Sequence, residues 1–313
     1  MKYKIILFSA LAIAVATFAG LYVNSKMKAQ LETPHAVTEP ATAPSEPDIT
    51  PVASSVPKPT PPMPAPSITK FLDDFSTSYT VVETGDISES KSKEWWIGSG
   101  AYFYSQNGIA STVAGPLPEK DYFRTAFLAS NPLDTDNGYY PQNIFRLVSR
   151  MEFQNLQQEA YFKITKDNLS ASPNRNASNG LLLFNRYQDE FNLYYTGIRV
   201  DGYAVIKKKI DKTYYTMAYV PLFPGMYDNK KNPNLLPENS WIGLRSVVVT
   251  NADGTVTIKL YVDKDRTGKW VLAAQAEDDG KSYGGAPIKA AGYGGIRTDF
   301  MDVQFDDYSI VKL

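Results

Sequence analysis

The sequence predicts an antiparallel all-β domain, a sandwich or a barrel, carried behind an N-terminal apolar helix and a proline-rich linker. Three observations lead there. Short stretches from Ile144 to the C-terminus alternate apolar and polar residues with period two. No long segment repeats apolar residues at i, i+3, i+4 and i+7, so no helices are expected between those strands. Eleven of the 21 prolines fall between Pro34 and Pro66.

Ile5 to Val23 carry no charge, with Lys2 and Lys4 before them and Lys26 and Lys28 after. Nineteen residues at 1.5 Å rise come to about 28 Å, near the hydrocarbon thickness of a bilayer. Residues 1–23 are therefore expected to be a short cytoplasmic stub and a transmembrane anchor. The alternative is a long cleaved signal, whose best small-x-small site, Thr17-Phe18-Ala19, lies inside the apolar run. Either way the rest of the chain is expected outside the cytoplasm, periplasmic or extracellular, and secreted if the segment is cleaved. Residues 24–67 mix proline with Ala, Thr, Ser and Glu. Proline removes backbone donors and favours polyproline II, so this stretch is expected to be a disordered, extended tether.

Residues 68–313 hold the strand signals. In Ile144 to Phe153, Phe145, Leu147, Met151 and Phe153 share one face with Ser149, which sends Arg146 and Arg150 to the other. Further strands are expected at Ala160–Thr165, Gly180–Tyr187, Asn192–Asp201, Ala204–Ile210 and Tyr214–Val220. Trp241–Thr250, Val256–Asp263, Lys269–Ala274, Gly294–Arg297 and Met301–Val311 complete the set. Asp201-Gly202, Asp253-Gly254 and Thr267-Gly268 supply the positive φ that tight hairpins need.

Composition removes several chemistries. The chain has no cysteine, hence no disulfide, thiol nucleophile or cysteine-held metal. Its one histidine, His35, lies in the proline-rich stretch, so the domain is expected to lack serine–histidine triads and histidine-ligated metals. A net charge of −1 argues against nucleic acid as a partner.

The domain opens with Phe71-Leu72-Asp73-Asp74-Phe75 and closes with Phe305-Asp306-Asp307-Tyr308-Ser309-Ile310-Val311. Between them come Glu94-Trp95-Trp96-Ile97-Gly98-Ser99-Gly100, Tyr194-Tyr195-Thr196-Gly197-Ile198-Arg199 and Trp241-Ile242-Gly243-Leu244-Arg245. This order resembles the concanavalin A-like lectin/glucanase superfamily over most of residues 71–313. The resemblance implies a jelly-roll sandwich and a carbohydrate ligand on a concave sheet. It also implies a structural Ca²⁺ near the first and last strands, for which Asp74 and Asp307 are the matching residues. It does not carry an activity across. The Glu-x-Asp-x-Glu strand of the retaining glucanases is missing, as is the histidine of the alginate-lyase branch.

Several residues suit sugars. Tyr187, Tyr194, Tyr195, Tyr203, Tyr214, Tyr215 and Tyr219 crowd one region, and phenol rings stack on the C–H faces of pyranoses. Arginine grips carboxylate or sulfate bidentately. Tyr195 and Arg199 are four residues apart on one strand face, and Ile198 and Val200 mark the opposite set, with Tyr194, as the buried one. The expected carbohydrate face is Arg146, Arg150, Arg186, Tyr187, Tyr195 and Arg199, rimmed by the polar loop Ser170–Asn179. In Lys207-Lys208-Lys209, period two separates Lys208 from its neighbours; anion binding, or a catalytic lysine beside tyrosine, is the functional reading and a solvated face the structural one. Asp263 to Gly268 spaces oxygen ligands like a calcium loop, but Arg266 favours a plain hairpin. Asn168-Leu169-Ser170 and Asn176-Ala177-Ser178 match the glycosylation sequon. The expectation is a monomeric, membrane-anchored binder of an acidic or extended polysaccharide; a Tyr/Arg/Lys lyase or hydrolase, or a structural or protein-interaction module of the envelope, are the alternatives.

Overall fold

The computed structural model describes residues 69–313. The expected anchor and linker lie outside them; among the described residues no helix is long and apolar enough to cross a membrane. The first five strands are β1 (Lys70–Asp73), β2 (Tyr79–Val82), β3 (Trp95–Ser99), β4 (Tyr102–Gln106) and β5 (Ile109–Thr112). Helix α1 (Tyr122–Ser130) follows, then β6 (Ile144–Phe153), β7 (Leu156–Asp167), β8 (Gly180–Asp189), β9 (Asn192–Arg199), β10 (Tyr203–Ile210) and β11 (Thr213–Pro221). The chain closes with β12 (Ile242–Thr250), β13 (Val256–Lys264), β14 (Val271–Asp278), β15 (Gly292–Asp299) and β16 (Met301–Lys312).

These strands form two antiparallel sheets packed as a sandwich. One runs β14-β13-β12-β7-β16-β5-β4-β2, with β1 also paired to β16; the other runs β11-β10-β9-β8-β15-β6-β3. The expected strands from β6 to β16 are all present, with β6 at the bounds read from its alternation. Strand β7 is twice as long as expected, because Gln157, Glu159, Tyr161 and Lys163 alternate with the buried Leu156, Gln158, Ala160 and Phe162. Helix α1 was not expected. It is nine residues long, the Asp121 carboxylate caps it through the Phe123 N–H, and only Phe123 and Phe127 form its buried stripe. Two apolar residues at i, i+4 are too few to stand out in a sequence window.

Phe145, Leu147, Leu181, Leu183, Tyr194, Ile198, Phe162, Leu244, Val303, Phe305 and Ile310 meet between the sheets. Each fully buried aliphatic or aromatic side chain there contributes about 1.5–3 kcal/mol. Gly294 lets the sheets approach: a Cβ would lie 2.7 Å from Ile310 Cδ1 and 2.9 Å from the Tyr308 hydroxyl. Polar side chains also cross this interior. Asn185 Oδ1 accepts from Gln158 Nε2 at 2.7 Å and from the Ser246 hydroxyl at 2.6 Å. Lys208 and Asp278, both fully buried, pair at 2.9 Å. The ammonium also donates to the Gly285 and Ala286 carbonyls, and Tyr194 donates to Asp278 at 2.6 Å. The middle lysine of the triplet therefore does not snorkel to solvent but locks the loop before β15 onto β10.

Candidate functional site

The seven-stranded sheet has a second apolar layer on its outward face, made by Val148, Leu182, Phe184, Tyr187, Leu193, Tyr195 and Val205. Its origin is the alternation of β9: Tyr194, Ile198 and Val200 enter the core, so Tyr195 turns outward, as the apolar set of that strand predicts. A cavity of about 340 Å³ lies over this layer. Leu182, Tyr195 and Val205 floor it, Lys207, Tyr214 and Arg297 supply its charge and hydroxyls, and Asn174, Asn176 and Asn179 wall it. The wall belongs to the polar loop expected to rim a cleft.

Three strands bring the polar groups together. Lys207 pairs with Tyr195 across β9–β10 and with Thr216 across β10–β11, so its side chain shares the outward face. In β15 the core residue Ile296 sends Arg297 outward, opposite Leu182 of β8. The Arg297 guanidinium donates to Asp299 Oδ1 at 2.8 Å and to the Tyr195 hydroxyl at 3.5 Å. The Tyr195 and Tyr214 rings are 5.8 Å apart, and Lys207 Nζ and Lys209 Nζ lie 5.7 and 4.7 Å from the Tyr214 ring centre.

The electrostatics of these groups differ. Burial pulls the Lys207 ammonium below the usual lysine range, and the charges of Arg199 and Arg297 push it the same way. Among the described residues its Nζ makes no hydrogen bond and no ion pair; Tyr214 and Asp201 favour its charge only from a distance. Burial pushes the Tyr195 phenol up. Burial acts on Tyr214 in the same sense, but Arg297, the hydrogen bond with Tyr195 and Lys209 outweigh it and leave Tyr214 below the ordinary phenol value. The two adjacent phenols are thus shifted in opposite directions.

The expected face is reached only in part. Tyr195 lines the cavity. Tyr187 belongs to the same outward layer, with its phenol pushed up to about 12 by burial. Arg146 lies on that face but is paired with Glu190 at 3.1 Å. Arg150 turns away from the core as expected and donates to the Ser90 and Ser92 carbonyls, fastening the loop before β3. Arg199 donates to the Ala177 carbonyl at 2.9 Å, pairs with Asp201 at 2.7 Å and lies over the Tyr219 ring. It therefore holds the cavity wall from behind.

Arg186 departs from the expectation. It adopts φ 49° at an irregularity of β8, its side chain is fully buried, and its guanidinium donates to Gln154 O, Ile288 O, Asn155 Oδ1 and Thr250 Oγ1. Strict alternation after Leu182 and Phe184 would send Arg186 outward; the irregularity shifts the register, so Tyr187 takes that outward place and Arg186 turns into the protein. Asp307 departs too. Its carboxylate is held by Arg266 at 2.6 Å, while Asp74 accepts from the Ser76 amide and hydroxyl. Among the described residues no three acidic side chains converge to hold a metal. The Asp263–Gly268 segment is a hairpin whose Asp263 accepts from Thr267 and Gly268. Of the two sequons, Asn168 is buried with its amide hydrogen-bonded, whereas Asn176 is exposed at the cavity wall.

No protein-family profile matches the chain, and no curated protein does. Solved structures do. The carbohydrate-binding module CBM66 from Bacillus subtilis is 14% identical over 54% of this chain and 82% of its own, with a TM-score of 0.38. The Bacillus licheniformis β-glucanase is 10% identical over 75% of this chain and 98% of its own, TM-score 0.41. The alginate lyase Aly36B is 8% identical over 79% and 98%, TM-score 0.38. These are jelly-roll sandwiches of the concanavalin A-like superfamily. The likeness is one of fold. It says nothing of which residues act or on what.

Proposed function

We propose that the outward cavity of the seven-stranded sheet binds an acidic polysaccharide. Lys207 carries this reading: a half-buried ammonium that, among the described residues, meets no carboxylate at hydrogen-bond or ion-pair distance gains from an anion that arrives to pair with it. Arg297 beside it, the apolar floor for the C–H face of a pyranose, and the amide-rich wall for its hydroxyls fit a uronate or a sulfated sugar. The volume falls within the range of about 300–1,000 Å³ typical of ligand clefts. A glycan array probed with the purified protein tests the proposal. Binding confined to acidic glycans, and lost in Lys207→Met, supports it; binding to neutral glycans alone, or to none, sinks it.

The tyrosine pair favours a second reading, a polysaccharide lyase. Elimination on a uronate needs a cation at the carboxylate, a base for the C5 proton and an acid for the departing C4 oxygen. Arg297 or Lys207, Tyr214 and Tyr195 fit those roles, since phenols shifted in opposite directions suit base and acid. Absorbance near 235 nm on mixed polyuronates separates the readings, because only a lyase makes an unsaturated product. With Ile5–Val23 as an anchor, the domain would work as a monomer outside the cytoplasm; carbonate extraction of membranes tests the anchoring.

A further inference from the structure

A cavity apart from the outward one lies where helix α1 meets the segment that follows β2. Its volume is about 220 Å³. Tyr122, Phe123 and Phe127 reach it from α1, and Glu83 and Thr84 from the segment after β2. The helix supplies rings here because Phe123 and Phe127 are one turn apart and form its buried stripe. Tyr122 stands beside them, 75% exposed. The Phe123 ring meets the Tyr122 and Tyr102 rings edge-on, at 5.2 and 5.0 Å between centroids.

Among the described residues that line this cavity, only Glu83 is charged. Its N–H donates to the Ala101 carbonyl at 2.9 Å, and its Oε2 accepts from the Ala101 amide at 2.7 Å. Ala101 packs in the same apolar cluster as Phe123 and Phe127, so these two bonds hold the carboxylate beside the rings. Burial pushes this carboxyl above the usual glutamate range, and the Ala101 and Gly100 amides only partly oppose it. Arg146 favours its charge from beyond ion-pair distance and is itself paired with Glu190 at 3.1 Å.

We propose that this cavity binds a methylated ammonium group, with Glu83 as the counter-charge and the α1 rings as the wall. Three features select that chemistry. A carboxylate and aromatic rings attract the same sign of charge, because ring faces are negative. The volume is below the range of about 300–1,000 Å³ that whole ligands fill, so a compact head group suits it. A primary ammonium brings three N–H donors that need acceptors. Beyond Glu83 the lining offers it only the Thr84 and Ser130 hydroxyls, which already donate to Asp86 O and Ala126 O at 3.0 and 2.9 Å. A fully methylated ammonium has no N–H to satisfy, and its methyl groups suit Phe123, Ala126 and Phe127. The site shares no residue with the outward cavity and does not rest on the glycan reading.

Calorimetric titration of the full chain with tetramethylammonium chloride, at an ionic strength held with sodium chloride, tests the site. Saturable binding is expected, about tenfold tighter than that of tert-butanol, a neutral molecule of similar size. Butylammonium should bind several-fold more weakly than tetramethylammonium. Glu83→Gln keeps an oxygen for the Ala101 amide and should erase the preference for the cation over the alcohol. Lys207→Met should titrate like the parent. Absence of saturation, equal binding of tert-butanol or butylammonium, loss of binding in Lys207→Met, or an unchanged Glu83→Gln would overturn the proposal. If Glu83→Gln does not fold, Tyr122→Ala decides, since so exposed a ring is not needed for folding. Its removal should weaken tetramethylammonium binding several-fold, and an unchanged affinity would overturn the proposal.

Discussion

Lys207 and Lys208 are neighbours on β10, face opposite ways, and should answer opposite experiments. Lys208 pairs with Asp278 at 2.9 Å in full burial and donates to two loop carbonyls. Lys208→Met strands the carboxylate with only the Tyr194 hydroxyl and the Gly280 amide as donors. Breaking a buried pair by removing one partner costs about 3–5 kcal/mol. At roughly 2–4 °C per kcal/mol for a domain of this size, the melting midpoint should fall by about 10 °C. Most of that loss is the stranded charge, so adding Asp278→Asn to Lys208→Met should recover part of it. Lys207→Met removes a cation that burial already disfavours. A lysine whose folded pKa is depressed costs stability fully below that pKa, and the cost vanishes as pH rises past the unfolded value. At neutral pH the substitution therefore leaves the midpoint unchanged or raises it, while affinity for an acidic glycan drops at least tenfold, the worth of about 1.4 kcal/mol from one charge-assisted hydrogen bond. Differential scanning calorimetry and glycan titration of both variants check this. The reasoning fails if Lys208→Met melts like the parent, if the double variant is no better than the single, or if Lys207→Met unfolds.

Other side chains separate wall, core and cavity in the same manner. Arg199→Ala frees the Ala177 carbonyl and leaves Asp201 to Tyr219, so calorimetry should record a fall of a few degrees and titration a several-fold loss of glycan affinity, with Arg199→Lys restoring neither fully. Arg186→Met leaves Gln154, Asn155, Thr250 and Ile288 without their shared donor and should cost about 3 kcal/mol or more in denaturant titration, with glycan affinity per folded molecule unchanged. Tyr214 should ionise ahead of the buried tyrosines as pH rises toward 10, and phenolate absorbance near 295 nm should lose that first step in Tyr214→Phe. If the protein is a lyase, its rate climbs with pH over the same window, because the phenolate is the base.

The alternation of β6 and β9 was enough to place Arg146, Arg150 and Tyr195 on the outward face, because Phe145, Leu147 and Phe153 in β6, and Ile198 with the following Val200 in β9, mark the core side more strongly than Val148 or Leu193 marks the other. Strand β8 offered no such guide. Leu181 and Leu183 face the core while Leu182 and Phe184 belong to the second apolar layer, so both faces are buried and the sequence reads as a continuous run. The bulge at Arg186 is invisible for the same reason. An arginine next to a tyrosine near a strand end gives no sign that its φ is positive or that four oxygens await it.

What escaped the sequence is mainly what register creates. Arg297 and Tyr195 are separated by about a hundred positions, yet β15 and β9 both flank β8, and Leu182 faces Arg297 on one side and Gly197 on the other. Pairing of β9, β10 and β11 then sets Lys207 between Tyr195 and Thr216. Each residue taken alone has a bland explanation: an arginine after an isoleucine, a lysine in a basic triplet, a tyrosine on an edge strand. Their meaning lies in a sum that no single strand contains. Two cations and two phenols meet over an apolar floor, and Asp299 pairs with Arg297, whereas among the described residues no carboxylate contacts Lys207. A desolvated cation without a contacting carboxylate is what an anionic ligand would favour, and it is legible only after the strands are in register.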